Sequence, residues 1–125
     1  MSELITVSRK NSIATVIINN PKRRNALNRE AWVGLAKVMA EISNDASLRC
    51  VILRGAGDEA FAAGADIAEF PAERANAEQA AVYGADTGLA LEALICCPHP
   101  TIAMIQGACT GGGLEIACCC DIRIC

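Results

Sequence analysis

Two stretches of small residues follow apolar runs in this chain, and both can aim backbone N–H groups at a developing negative charge. The first is Ala62-Ala63-Gly64-Ala65-Asp66-Ile67. Its side chains are short enough for a ligand to approach the main chain, and Asp66 can cap or brace the turn. The second is Gly107-Ala108-Cys109-Thr110-Gly111-Gly112-Gly113-Leu114-Glu115. Its glycines can leave amides unpaired at a helix amino terminus, where the dipole favours an anion. Nucleotide-binding readings fit less well. The triple glycine lacks the Gly-Lys-Ser/Thr ending of a phosphate loop, and Gly55-Ala56-Gly57-Asp58-Glu59-Ala60 lacks the third glycine of a dinucleotide fingerprint.

Metal chemistry is a poor fit. The single histidine, His99, lies between Pro98 and Pro100 and reads as a turn residue, while Cys118-Cys119-Cys120 lacks the paired spacing of a zinc site. The eight cysteines sit mostly in apolar stretches, as small buried hydrophobes do, which favours reduced thiols. With 14 acidic against 11 basic residues, a net charge of -3 and no long basic run, the chain is not built to neutralise a row of phosphates. Trp32, Phe61, Phe70 and Tyr83 are too few to stack a series of bases, so no nucleic-acid partner is expected. Met1-Ser2-Glu3-Leu4 does not begin a secretory signal, and no apolar segment has the length of a membrane span. A cytoplasmic protein with no membrane partner is the expectation.

The elements that must position the two turns can be read from periodicity. Ile5 and Val7, then Ile13, Thr15 and Ile17, flank the polar Arg9-Lys10-Asn11-Ser12 and predict a β-hairpin. Pro21 stops the second strand. Asn28 can cap a helix with apolar positions Leu27, Ala31, Leu35, Val38 and Ile42, running to about Asn44. Cys50 to Leu53 suits a buried strand, and Ala68 to Gln79 reads as a loose surface segment. Ala81, Ala85, Gly88, Leu91 and Ile95 mark one face of a second long helix that ends at Pro98-His99-Pro100. A strand over Thr101–Ile105, a helix start over Leu114–Cys118 and a strand over Asp121–Cys125 complete the order. The 125 residues form one α/β domain, and the strand-like end at Ile122-Arg123-Ile124-Cys125 gives the expectation of a truncated chain.

Three segments in order carry a family resemblance. Asn20-Pro21-Lys22-Arg23-Arg24-Asn25-Ala26-Leu27-Asn28, Ala60-Phe61-Ala62-Ala63-Gly64-Ala65-Asp66-Ile67 and the Gly107–Glu115 stretch are similar to successive signatures of the crotonase superfamily, the enoyl-CoA hydratase/isomerase family. The resemblance covers essentially the whole chain, and complete members are about twice as long. It implies a crotonase-like fold of ββα units, of the ClpP/crotonase type, with residues 1–125 the amino-terminal part of a single acyl-CoA-binding domain.

What the resemblance implies for the site follows residue by residue. The N–H groups of Ala65 and Gly112 correspond to an oxyanion hole for the thioester oxygen, and Glu115 to one of two glutamates that activate water as general base or acid. The second glutamate is expected beyond Cys125. Lys22 and Arg24 stand where the family grips the coenzyme A nucleotide, with Ala26, Ala63, Asp66, Ile67 and Gly111 along the substrate path. The implied activity is hydration of a 2-enoyl-CoA, in fatty acid metabolism, with no cofactor beyond the coenzyme A of the substrate and no metal. Trimers or hexamers are the family's usual assemblies. An isomerase, a dehydratase, a thioester hydrolase or a noncatalytic acyl-CoA-binding subunit is the alternative, since the oxyanion hole is shared and the acid/base set varies.

Overall fold

The computed structural model describes residues 3–125. β1 (Ile5–Lys10) and β2 (Ile13–Ile18) pair antiparallel. The turn between them places Asn11 at φ 57°, a conformation that asparagine tolerates better than most residues. α1 (Arg29–Ser43) carries the chain across to β3 (Cys50–Gly55), parallel to β2. α3 (Ala77–Ile95) leads to β5 (Thr101–Met104) beside β3, and α4 (Gly112–Cys119) to β7 (Ile122–Ile124) beside β5. The main sheet therefore runs β1-β2-β3-β5-β7, with every pair after the hairpin parallel and joined through a helix. β4 (Ala60–Ala62) and β6 (Ala108–Cys109) form a separate two-stranded parallel sheet.

One core joins these layers. α1 buries Ala31, Trp32, Leu35, Met39 and Ile42 in the same cluster as Ala14, Val16 and Ile18 of β2 and Val51 and Leu53 of β3. The hairpin's inward positions are thus the even-numbered residues of β2, and Ile13 is 40% exposed. Phe61 on β4 and Ile116 on α4, both fully buried, extend the cluster beneath the glycine-rich turns.

Three expectations need correction. The 68–79 segment is not loose: a 3-10 turn (Ile67–Glu69), α2 (Phe70–Glu73) and the start of α3 occupy it. Polar caps order it. Asp66 accepts from the Ala68 N–H at 3.1 Å, and Asn76 accepts from the Gln79 N–H at 2.9 Å. The inner face of α3 is Tyr83, Ala90 and Leu94, whereas Ala81, Ala85, Gly88 and Ile95 are exposed. An alanine-rich helix with small residues all around carries little periodic signal, so bulk at Tyr83 and Leu94 decides which side packs on α1. The cysteines are less buried than their apolar context implies: Cys120 is buried, Cys96, Cys118 and Cys125 are exposed, and the remainder are half-buried.

Candidate active site

The first turn is fixed by main-chain bonds to the segment before α1. Ala63 N–H donates to Arg24 O at 3.0 Å, Leu27 N–H to Gly64 O at 2.7 Å, and Asp66 N–H to Leu27 O at 2.8 Å. Asn25 anchors that segment from below. Its buried amide donates to Ala56 O at 3.0 Å and Ala60 O at 2.8 Å and accepts from the Asn20 N–H at 2.9 Å, with its own backbone at φ 58°. Gly64 sits at φ 112°, a region that side-chain-bearing residues avoid.

The second turn is stitched to the first. Thr110 N–H donates to Ala62 O at 3.2 Å, and Thr110 Oγ1 donates to Ala63 O at 2.8 Å. α4 then starts flush against β4: a methyl group on Gly113 would lie 2.2 Å from Ala62 O. Beside it, a methyl group on Gly112 would lie 3.7 Å from the Ala65 amide nitrogen and 2.7 Å from Cζ2 of Trp32. The Ala65 and Gly112 amides therefore stand next to each other. Neighbouring amides are engaged, Gly113 with Thr110 O and Glu115 with Gly111 O, while neither Ala65 nor Gly112 is among the donors of these turns.

Ala65, Gly112 and Glu115 line one cavity of about 250 Å³, together with Trp32 from α1, Arg74 after α2, and Ala80, Tyr83, Gly84 and Thr87 from α3. Glu115 is exposed, so its carboxylate is accessible to water as well as to the cavity. Burial, then the nearby charge of Glu69, pushes the Tyr83 hydroxyl up from its ordinary range, which keeps it protonated at neutral pH. Arg29 at the start of α1 ties the walls together: its Nε donates to Asp86 on α3 at 2.6 Å, its guanidinium reaches Glu73 on α2 at 3.3 Å, and its backbone N–H donates to Glu69.

The other residues singled out from sequence fall elsewhere. Lys22 and Arg24 line a second cavity, of about 310 Å³, with Pro21, Asn25 and Ala56–Ala60. Asp58 and Glu59 share its wall, so the basic pair does not stand alone there. Ala26, Ala63, Asp66, Ile67 and Gly111 line neither cavity. Ala26 and Ala63 spend their main-chain groups on the loop itself, the Ala26 carbonyl accepting from Asn20 Nδ2 at 3.2 Å. Asp66 caps its turn and holds Arg23 at 3.1 Å, Ile67 is 73% exposed, and Gly111 turns the chain at φ 52°. Trp32, Arg74 and Tyr83 are cavity residues that the turn motifs do not reveal. Their signal was that Trp32 and Tyr83 are the single residues of their kinds, each in a helix.

Comparison with known proteins bears on all of this. Residues 8–125 match the family described as enoyl-CoA hydratase/isomerase. A short-chain-enoyl-CoA hydratase of Clostridium acetobutylicum is 38% identical over 120 residues, covering 96% of this chain and 45% of that protein. A mitochondrial Delta(3,5)-Delta(2,4)-dienoyl-CoA isomerase of Mus musculus is 35% identical, over 94% of this chain and 38% of its own length. Among solved structures, an enoyl-CoA hydratase/carnithine racemase from Magnetospirillum magneticum superposes with a TM-score of 0.95 at 54% identity, covering 98% of this chain and 46% of that one. The chain spans less than half the length of these relatives.

Proposed function

The chain belongs to the enoyl-CoA hydratase/isomerase family, and from that premise we propose that it binds a 2-enoyl-CoA thioester and serves its hydration. The observation that carries this reading is the adjacency of the Ala65 and Gly112 amides in a cavity that also holds Glu115. When water adds to the β-carbon of an enoyl thioester, the electron pair of the double bond moves toward the carbonyl and negative charge builds on the thioester oxygen. Two preorganised N–H donors stabilise that charge more than they stabilise the neutral substrate. Glu115 takes a proton from the water as its oxygen bonds to the β-carbon, and that proton is returned to the α-carbon as the carbonyl re-forms, which restores the carboxylate and adds one water across the double bond. No redox step is involved, so no cofactor beyond the substrate's own coenzyme A is invoked. Lys22 and Arg24 supply positive charge for the nucleotide phosphates at the second cavity.

Double-bond isomerisation is the second reading. It is favoured by the 35% identity to a dienoyl-CoA isomerase, and it uses the same oxygen-stabilising pair with a proton moved between carbons. One experiment tests the hydration reading. The chain and its Glu115→Gln variant are mixed with crotonyl-CoA, absorbance of the conjugated double bond is followed, and binding is measured by calorimetry. Hydration predicts a fall in rate of roughly 100-fold to 10000-fold with binding retained. Unchanged turnover in the variant would remove Glu115 from the chemistry, and binding without any turnover in the parent chain would leave an acyl-CoA-binding role.

A further inference from the structure

The side of the Glu115 cavity formed by α1 and α3 holds polar groups that hydration of a plain hydrocarbon chain does not use. Trp32 Nε1 and Tyr83 Oη are buried and have no hydrogen-bond partner among the described residues. Trp32 is 1% exposed and Tyr83 is 6% exposed, yet both line the cavity. The indole N–H lies near enough to the phenol to favour its ionised form slightly, but the two do not meet hydrogen-bond geometry. An indole N–H can only donate, and the phenol is held protonated, so this wall offers two donors to whatever fills it. Leaving such groups unpaired inside a protein is costly, and native interiors rarely do so without a reason.

Charge points the same way. Arg74 lines the cavity, stacks its guanidinium 4.4 Å from the Phe70 ring centre, and stands 5.7 Å from the Tyr83 ring centre. The nearby carboxylates have other partners: Asp66 pairs with Arg23, Glu73 and Asp86 with Arg29, and Glu69 accepts from the Arg29 N–H. Arg74 has no ion pair among the described residues. Glu69 and then Arg74 and Asp66 are the charges felt at the Tyr83 hydroxyl, and of these Arg74 alone lines the cavity.

We infer that this cavity selects a short enoyl thioester whose acyl chain ends in a carboxylate, received by Trp32 Nε1, Tyr83 Oη and the Arg74 guanidinium. The inference rests on the thioester reading above and adds the substrate class. A site built to hydrogen-bond a substrate group discriminates strongly against the analogue that lacks it, because its own donors are then left unpaired.

The test compares crotonyl-CoA with glutaconyl-CoA, which differ by one terminal carboxylate, using the full chain in rate and calorimetric measurements. Glutaconyl-CoA is expected to be favoured by about 10-fold to 100-fold in kcat/KM and in affinity. Arg74→Gln, at an exposed position, and Tyr83→Phe, which keeps the ring, should each lower that ratio by about 10-fold. A merely structural role for either residue would depress both substrates alike and leave the ratio standing, which would overturn the assignment. Equal or better use of crotonyl-CoA by the parent chain would also overturn it while leaving the thioester reading intact. Failure to bind either compound would instead sink the thioester reading itself.

Discussion

At the scale of single residues, four glycines in helices separate function from packing. Gly113 has backbone at its α-carbon, with Ala62 O 2.2 Å from a built methyl, and backbone cannot yield without moving β4. Gly112 faces the rim of the Trp32 ring at 2.7 Å, a side chain that can shift slightly. Gly84 and Gly88 on α3 have nothing within 4 Å of a built methyl. Urea denaturation should therefore rank the alanine variants. Gly113→Ala is expected to lose about 3 kcal/mol and Gly112→Ala about 1–2 kcal/mol by overcrowding, while Gly88→Ala gains up to about 1 kcal/mol from helix propensity. Gly112→Ala should also lose crotonyl-CoA turnover out of proportion to its stability, since Trp32 and the neighbouring amide move together. A Gly113 variant as stable as its parent would refute the close fit of α4 on β4. The site was legible in the sequence to the extent that it is made of turns: Ala65, Gly112 and Glu115 come from small-residue motifs that read locally. Trp32, Arg74 and Tyr83 come from three separate stretches, and only the packing of α1 against α3 brings them into one wall.

At the scale of elements, α1 was the most legible because its apolar residues recur on one side and its cap is explicit. Its observed span, Arg29–Ser43, lies within one residue of the expected end. β4 and β6 were not legible, since runs of three and two small residues are too short to show alternation. α3 hid its inner face behind alanines, and the 68–79 segment is held not only by its local caps but by Arg29 through Glu69 and Glu73, long-range contacts that no local pattern contains. The α1 cap gives a direct check. Asn28 Oδ1 accepts from the Ala31 N–H at 2.8 Å, one residue before the Arg29 that gathers Glu69, Glu73 and Asp86. Asn28→Ala is expected to cost about 0.5–2 kcal/mol in urea denaturation. Asn28→Ser, which can still cap, should recover most of that loss. Equal losses in both variants would show that Asn28 acts through something other than its cap.

For the whole molecule, one face of the sheet is closed by helices and the other is partly open. Register aligns Ile52, Ile102 and Ile122 across β3, β5 and β7, with Met104 beside Ile124 in the next row. Ile122, Ile124 and Met104 are exposed, so the stability of the chain rests on the helix-covered side. That side also contains groups that cannot ionise without loss. Burial pushes the Cys120 thiol from 9.0 up to about 12, and burial likewise raises Cys109, Cys119 and Tyr83. Each of these groups is neutral when protonated, and folding raises its affinity for the proton. The folded state then binds more protons than the unfolded state at alkaline pH, so stability falls as pH rises. The contribution is fully present below about pH 9 and is lost progressively as pH approaches 12. Melting temperature should accordingly be level from pH 7 to 8.5 and drop by several degrees by pH 10.5, under reducing conditions that exclude disulfide formation. Cys120→Ala keeps a small apolar residue at the site and removes the largest of these ionisations, so its melting temperature should decline less steeply over the same range. A parent and variant that decline in parallel would show that Cys120 does not govern the alkaline limit, and the weaker shifts at Tyr83, Cys109 and Cys119 would then have to account for it.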